Sequence, residues 1–99
     1  MKCFDNLDQD AAALCQDPAL TMEFYSRDEV FVRVTCEQEQ GKSVFKLRNK
    51  GPNGTFYEYA TIISDTRLEM ALTRVLLGLY LQGVHRTAAR RLVKEAVTA

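Results

Sequence analysis

The sequence predicts an α+β protein, with a four-stranded antiparallel sheet and helices before and after it. Three observations lead to this prediction. Apolar residues recur at helical spacing in residues 64–81, they alternate with polar residues in residues 21–63, and short turn signals separate the alternating runs. Short connections between consecutive strands indicate an antiparallel meander, and helices gathered outside the strands indicate the α+β class. We expect the 99 residues to form a single domain, 1–99.

The first element is a short N-terminal helix within residues 1–20. Asp5, Asp8 and Asp10 precede an alanine-rich run, which places negative charge where the helix dipole favours it. Pro18 ends the segment, because a proline pushes the residue before it out of helical geometry. The residues expected on the buried face of this helix are Leu7, Ala11, Leu14 and Cys15.

Four strands are predicted at residues 21–25, 30–37, 43–49 and 55–63. The second strand alternates, so one face is expected to carry Val30, Val32, Val34 and Cys36, and the other Phe31, Arg33, Thr35 and Glu37. In the third strand, Phe45 and Leu47 are expected to face inward. A Gly-Pro-Asn-Gly turn at residues 51–54 precedes the fourth strand. The faces of that strand stay ambiguous, since Phe56, Ala60 and Ile62 compete with Tyr57, Tyr59 and Ile63.

A central packing helix is predicted at about residues 65–81. Its apolar stripe lies at i, i+3, i+4, i+7, i+8 and i+11, and comprises Leu68, Ala71, Leu72, Val75, Leu76 and Leu79. Either Ser64 or Thr66 is expected to cap its N-terminus. Leu77, Tyr80 and Leu81 add apolar surface outside the stripe, so this end needs a second cover. The terminal helices or a second copy of the chain would supply it, and we predict a homodimer.

The last element is predicted to be a basic amphipathic helix at about residues 85–97. Arg86, Arg90, Arg91 and Lys94 would form its outer face. Residues 83–94 resemble the turn and recognition helix of helix-turn-helix proteins, in which a glycine opens the turn and basic residues reach phosphates. This resemblance implies an alternative function, nucleic-acid binding through those four side chains. The other interpretation is a solvated helix face.

Charge is unevenly distributed along the chain, although its net value is zero. Residues 1–40 hold nine acidic and three basic residues, whereas residues 41–99 hold four acidic and ten basic ones. Such asymmetry is typical of an interaction surface. It equally fits internal complementarity, in which the acidic N-terminal part lies against the basic C-terminal helix.

The sequence contains no signature of catalysis, of a cofactor site or of a metal site. It has one histidine, His85, and lacks phosphate-binding and dinucleotide-binding glycine motifs. Its three cysteines are widely spaced, which favours free thiols over a zinc site or a disulfide framework. No apolar run is long enough to cross a membrane, and the N-terminal residues lack an apolar leader. We therefore expect a non-enzymatic, cofactor-free, cytoplasmic protein.

One face of the predicted sheet mixes aromatic and basic side chains. If helices cover the other side, this face carries Phe31, Arg33, Val44, Lys46, Arg48, Tyr57 and Tyr59. Such a mixture suits a protein interface, where tyrosine and arginine supply much of the anchoring energy. It also suits stacking on single-stranded nucleic acid. A third interpretation is that a terminal helix covers the face and makes the tyrosines part of the core.

Residues 59–76 resemble the end of certain small bacteriophage proteins. Here a strand runs from Tyr59 through Asp65 and Thr66 into an alanine- and leucine-rich helix. The phage proteins are α-β-α sandwiches whose last strand passes through a short Asp-Thr link into such a helix. The resemblance implies a phage or mobile-element origin. Small cofactor-free proteins of that origin, such as anti-CRISPR proteins, act by occupying a surface of a host protein complex.

The expected function is therefore binding to a host protein or protein complex, inhibiting or adapting it in the host cytoplasm. Two surfaces are candidates. The acidic one, with Asp5, Asp8 and Asp10, would imitate nucleic-acid phosphates and dock on a basic groove. The other is the aromatic and basic sheet face.

Overall fold

Two helices pack on one face of a five-stranded antiparallel sheet in the part of the chain described by the computed structural model, residues 5–27, 29–81 and 88–94. The side chains of residues 65 and 76–81 lie outside this description. The elements in chain order are α1 (Leu7–Gln16), β1 (Leu20–Ser26), β2 (Glu29–Glu39), β3 (Lys42–Lys50), β4 (Phe56–Ile62), α2 (Asp65–Leu81) and β5 (Ala89–Lys94). The predicted α+β class is confirmed.

The strand order is β4-β3-β2-β1-β5, and every neighbouring pair is antiparallel. The predicted meander of four strands is therefore present, but a fifth strand extends it. β5 lies beside β1, with Glu23 opposite Arg91 and Leu20 opposite Lys94. The predicted C-terminal helix at 85–97 is wrong for residues 89–94, which are strand. Residues 82–87 and 95–99 lie outside the described part of the chain.

Two β-bulges shift the alternation that the sequence suggested. In β2, Phe31 is the extra residue, because Phe24 pairs with Val32 and Tyr25 with Val30. In β4, Tyr59 is the extra residue, because Leu47 pairs with Ala60 and Arg48 with Glu58. A bulge reverses the face of every residue on one side of it. Phe31, expected on the outer face, consequently packs against the core.

The β2–β3 connection is tighter than the sequence indicated. The predicted strands end at residue 37 and begin again at residue 43, whereas the observed strands continue to Glu39 and start at Lys42. Gln40 and Gly41 form the turn with φ of 52° and 77°. Two successive positive φ values are typical of a type I′ turn, whose twist matches that of the strands. The predicted turn at residues 51–54 is present, with a hydrogen bond from the Gly51 amide to the Thr55 carbonyl (2.8 Å).

The hydrophobic core lies between the sheet and the two helices. α1 supplies Leu7, Ala11 and Leu14, and α2 supplies Leu68 and Leu72. Against them lie the inward side chains of β1 to β4, which are Met22, Phe24, Val32, Val34, Cys36, Phe45, Leu47 and Ile62. The predicted burial of the α2 stripe is confirmed at its first turns, since Leu68 and Leu72 are fully buried. Cys15, expected to be buried, is exposed.

The start of α2 follows one of the two predicted caps. The Arg67 amide donates a hydrogen bond to the Ser64 hydroxyl (3.3 Å), and the Leu68 amide donates to the Ser64 carbonyl. Ser64 thus satisfies donors that the first helical turn leaves unpaired. Within the described ranges, neither helix has the length and apolar character that crossing a bilayer requires.

Candidate functional site

The sheet face turned away from α1 and α2, which we call the open face, is covered with charged side chains. One row runs across all five strands, because each residue pairs with the next in the register. The members of this row are Arg91, Glu23, Arg33, Arg48 and Glu58. Opposite charges in neighbouring positions attract, whereas Arg33 and Arg48 are like charges placed side by side. The open face therefore needs further carboxylates to be electrostatically stable.

Glu23 lies between Arg91 and Arg33 in this row and is buried, with 8% of its surface exposed. Arg33 donates through Nε to one of its carboxylate oxygens (3.3 Å), and Arg91 donates through Nε to the other (3.0 Å). Each arginine also stacks on an aromatic ring, Arg33 on Phe56 and Arg91 on Tyr25. A buried carboxylate is stable only when it is paired and hydrogen-bonded. Both arginines named as candidate contacts from the sequence thus have intramolecular partners.

Three further cations of the open face are also paired. Arg48 donates to Glu37 (3.0 Å) and to the Thr35 hydroxyl (2.9 Å), so its charge turns away from Arg33. Lys46 lies between Glu39 and Glu58, and Lys50 contacts Glu29 (2.7 Å). The hydrogen bonds that Lys46 donates to Glu39 and Glu58 raise the pKa of Lys46. The open face is a compensated network of charges and not a basic patch.

The pairing sets the protonation of two carboxyl groups. The hydrogen bond from Arg48 lowers the pKa of Glu37, and the hydrogen bond from Lys50 lowers the pKa of Glu29. A carboxyl whose pKa is lower in the folded state stabilises the fold above its unfolded pKa. That stabilisation is lost as the pH falls through the folded value. At such exposed positions, solvent and salt screen the charges, so each pair contributes little to the free energy of unfolding.

We expect the two carboxyl groups to respond independently to loss of their partners. In Arg48→Gln, the pKa of Glu37 should rise toward its ordinary value, while that of Glu29 stays low. In Lys50→Gln, the pKa of Glu29 should rise instead, while that of Glu37 stays low. Carboxyl chemical shifts followed by NMR during an acid titration measure both values in one sample. A Glu37 pKa that is unchanged in Arg48→Gln would contradict this pairing.

The acidic N-terminal residues and the basic C-terminal residues lie against each other. Arg90 donates to the Asp10 carboxylate (3.0 Å) and to the carbonyl of Asp5, and Lys94 lies 3.4 Å from the Asp17 carboxylate. Of the acidic residues proposed to contact a partner, Asp8 is exposed, whereas Asp10 is engaged by Arg90. The interpretation of the charge asymmetry as internal complementarity is supported, although β5 and not a helix supplies the bases.

The four candidates for nucleic-acid binding do not form one helical face. Arg90, Arg91 and Lys94 lie on β5, and Arg86 lies outside the described residues. Alternation along β5 sends Arg91 to the open face, toward Glu23, and Arg90 and Lys94 to the side of α1. The recognition helix on which this hypothesis depended is absent from residues 88–94.

The two tyrosine candidates, Tyr57 and Tyr59, lie at an edge of the sheet. β4 is the outer strand beside β3, so one side of its backbone has no neighbouring strand among the described residues. Tyr57 and Tyr59 on this strand are 51% and 46% exposed. Ile63, directly after the strand, is 64% exposed, and Met70 on α2 is 56% exposed. The exposure of Ile63 and Met70 is not predictable from the sequence, because helical or strand spacing alone does not show which apolar side chains stay uncovered.

Side chains that could bind a metal ion do not cluster within residues 5–27, 29–81 and 88–94. These residues contain no group of three or more histidine, cysteine, aspartate or glutamate side chains positioned to hold a metal ion. His85 lies outside them. What the described surface does offer is a compensated charged face, an aromatic sheet edge and two adjacent thiols, Cys15 and Cys36.

Comparison with known proteins assigns no family to the chain. No family model, no curated protein and no solved structure matches it.

Proposed function

We propose that this protein is a non-enzymatic binding module that acts on another protein, with the edge strand β4 as its docking surface. In this proposal it is encoded by a phage or mobile element and inhibits or adapts a host protein complex in the host cytoplasm, as anti-CRISPR proteins do. The observation that carries the docking surface is the exposure of Tyr57 and Tyr59 on an outer strand. The phage origin depends only on the resemblance of residues 59–76.

The edge strand is favoured over the charged surfaces because of how the charges are arranged. Arg33, Lys46 and Arg48 each contact at least one carboxylate of the same chain. A partner that used them would first have to break these pairs. Tyr57 and Tyr59 instead present large amphipathic rings, which anchor protein interfaces at low cost in side-chain entropy. Docking through them leaves the ion pairs intact.

The chemistry of the edge indicates what kind of partner it would accept. An outer strand offers backbone donors and acceptors to a strand of another protein, and flanking side chains then select the partner. The bulge at Tyr59 interrupts this ladder and redirects that side chain. We therefore expect a short backbone contact, with most of the affinity supplied by pockets on the partner that receive the two tyrosine rings.

The test is capture of a partner by immobilised protein, followed by affinity measurement with that partner in purified form. Replacing Tyr57 and Tyr59 with serine should weaken binding about tenfold or more, because truncating an aromatic anchor removes over 1 kcal/mol per residue. Both side chains are about half exposed, so the variant should fold. Its far-UV circular dichroism and melting temperature check this.

One further variant distinguishes the surfaces. Asp8→Lys reverses an exposed charge on α1 away from the edge strand, and it should leave the affinity unchanged. If Asp8→Lys weakens binding and the tyrosine variant does not, the acidic surface is the docking site and the edge is not. If no purified partner binds the wild-type protein, the proposed function fails.

Light scattering on the same samples tests the predicted homodimer. The residues to which that prediction assigns the contact, Leu77, Tyr80 and Leu81, have side chains outside the described part of the chain.

Nucleic-acid binding is the alternative outcome of the same experiment. It predicts an affinity for short oligonucleotides that falls steeply between two salt concentrations, because neutralised phosphates release counterions. Arg90, Arg91 and Lys94 contact Asp10, Glu23 and Asp17 within the chain. We therefore expect no binding to duplex or single-stranded oligonucleotides at low salt.

A further inference from the structure

Two of the three cysteines lie in contact although 20 residues separate them in the sequence. Cys15 is in the last turn of α1, and Cys36 is in β2 on the face that α1 covers. The Cys36 thiol donates a hydrogen bond to the Cys15 sulfur, at a distance of 3.1 Å between the two Sγ atoms. A disulfide bond needs the sulfur atoms to approach to about 2.05 Å. A shift of about 1 Å, within the reach of side-chain rotation, would close this gap.

The two sulfur atoms differ in their access to solvent. Cys15 is exposed, whereas Cys36 is buried. Both line an open cleft of about 620 Å³ between the end of α1 and the part of β2 that extends past β1, with Pro18 and Gln38 among its other residues. A small oxidant can therefore reach Cys15 directly, whereas Cys36 presents little of its surface to the oxidant.

We propose that Cys15 and Cys36 are a site of reversible oxidation, at which a low-molecular-weight disulfide such as oxidised glutathione converts the two thiols into an intramolecular disulfide. The proposal is independent of the docking surface at β4. It assigns a separate role to each cysteine, with Cys15 as the attacking thiol and Cys36 as the resolving thiol.

The reaction takes place in two exchange steps. Cys15, as its thiolate, attacks one sulfur of the oxidant, forms a mixed disulfide and releases one molecule of the reduced thiol. Cys36 then loses its proton and attacks the Cys15 sulfur, which forms the intramolecular bond and releases the second thiol. Two protein thiols are oxidised, one small disulfide is reduced to two thiols, and two electrons are transferred.

The environment of Cys36 fits the resolving role. Burial, with a further contribution from the hydrogen bond to Cys15, raises the pKa of the Cys36 thiol to about 11. At neutral pH this thiol is protonated and reacts slowly with an external oxidant, because the thiolate is the reactive form. Once Cys15 is held in a mixed disulfide, however, the sulfur that Cys36 must attack is adjacent to it, and proximity compensates for the small thiolate fraction.

The bond would fasten α1 to the middle of the sheet. It closes a loop that contains the whole of β1, so it restricts the unfolded chain more than the folded one. We expect the melting temperature of the oxidised protein to lie roughly 10 °C above that of the reduced protein. A reducing agent should reverse the shift.

The test is incubation of the folded protein with oxidised glutathione, followed by alkylation, trypsin digestion and mass spectrometry. Cys3→Ser is used as the parent, because Cys3 and Cys15 otherwise fall in the same tryptic peptide. The expected product joins the peptides at residues 3–27 and 34–42, and the intact chain is lighter by two hydrogen atoms. Cross-linked dimers, or a glutathione adduct on Cys15 that never resolves, would overturn the proposal.

Variants at each cysteine separate the two roles. In the same parent, Cys36→Ser should stop at a glutathione adduct on Cys15, and Cys15→Ser should react much more slowly because only a buried thiol remains. Neither variant should show the rise in melting temperature on oxidation. If Cys36→Ser fails to fold, Cys36→Ala replaces it, and the peptide analysis of the parent decides the main claim without either variant. Equal reactivity of the two single-cysteine variants would contradict the assigned roles.

Discussion

Replacing Leu72 with alanine should lower the free energy of unfolding by about 3 kcal/mol, within the range found for buried leucines in well-packed cores. Leu72 is fully buried, as is Leu68 one turn earlier, and both belong to the cluster that joins α2 to the sheet. Removing three carbon atoms loses their transfer energy and leaves a cavity that the rigid sheet cannot fill. For a chain of this length, about 3 kcal/mol is a large fraction of the total stability.

Urea denaturation followed by circular dichroism measures this loss. Met70→Ala is the matched control, because Met70 lies in the same helix and is 56% exposed. We expect Met70→Ala to change the free energy of unfolding by less than about 0.5 kcal/mol. Equal effects of the two substitutions would mean that α2 does not pack on the sheet through this stripe.

The buried face of α2 was predictable from the sequence for a physical reason. The same reason explains why the faces of β2 and β4 were not. An amphipathic helix carries its signal within one segment, since the spacing of Leu68 and Leu72 alone defines a buried face. The faces of β2 and β4 depend on pairing with another strand. A bulge at Phe31 or Tyr59 adds no local signal, because any residue type can be the extra one. The bulge also explains the ambiguous pattern of β4. Because it shifts the alternation, Phe56 and Ala60 lie on opposite faces of the strand.

Residues 89–94 show how long-range contacts can override local preference. Alanine, arginine, leucine and lysine are all good helix formers, and their spacing also fits a helix. The same residues form β5 because β1 offers it a partner strand. Acidic groups on both sides of the sheet also form ion pairs with the basic residues of β5, with Glu23 on one face and Asp10 and Asp17 on the other. Those acids lie at least 68 residues before the bases with which they pair, so no local window contains the information.

The candidate site was predictable to a similar extent. Residue type identified the two tyrosines of β4 as candidates, but cover by a terminal helix stayed open, so their exposure was only partly predictable. The pairing of Arg33, Lys46 and Arg48 was not, because each contact links strands that the sequence cannot align. The contact between Cys15 and Cys36 was missed for the same reason, since their wide spacing favoured unconnected thiols.

Replacing Asp10 with alanine should destabilise the protein by about 2 kcal/mol, because it leaves a buried cation without its carboxylate. The Arg90 side chain is only 10% exposed and donates to Asp10 through both Nε and a terminal nitrogen. Breaking a buried pair by removing one partner costs more than the pair itself contributes. The carbonyl of Asp5, which also accepts from Arg90, limits the loss. Asp8→Ala, in the same first turn of α1, controls for the helix dipole and should cost less than about 0.5 kcal/mol.

Replacing Arg90 should lower the free energy of unfolding by less than Asp10→Ala does. In Arg90→Met, the residue left alone is Asp10, whose side chain is 29% exposed and can be hydrated where it stands. Methionine also keeps apolar contact with α1 after the guanidinium is removed. The double variant should therefore be more stable than the sum of the two single changes implies, and a double-mutant cycle by urea denaturation measures that coupling. Additive effects would mean that Arg90 and Asp10 do not interact.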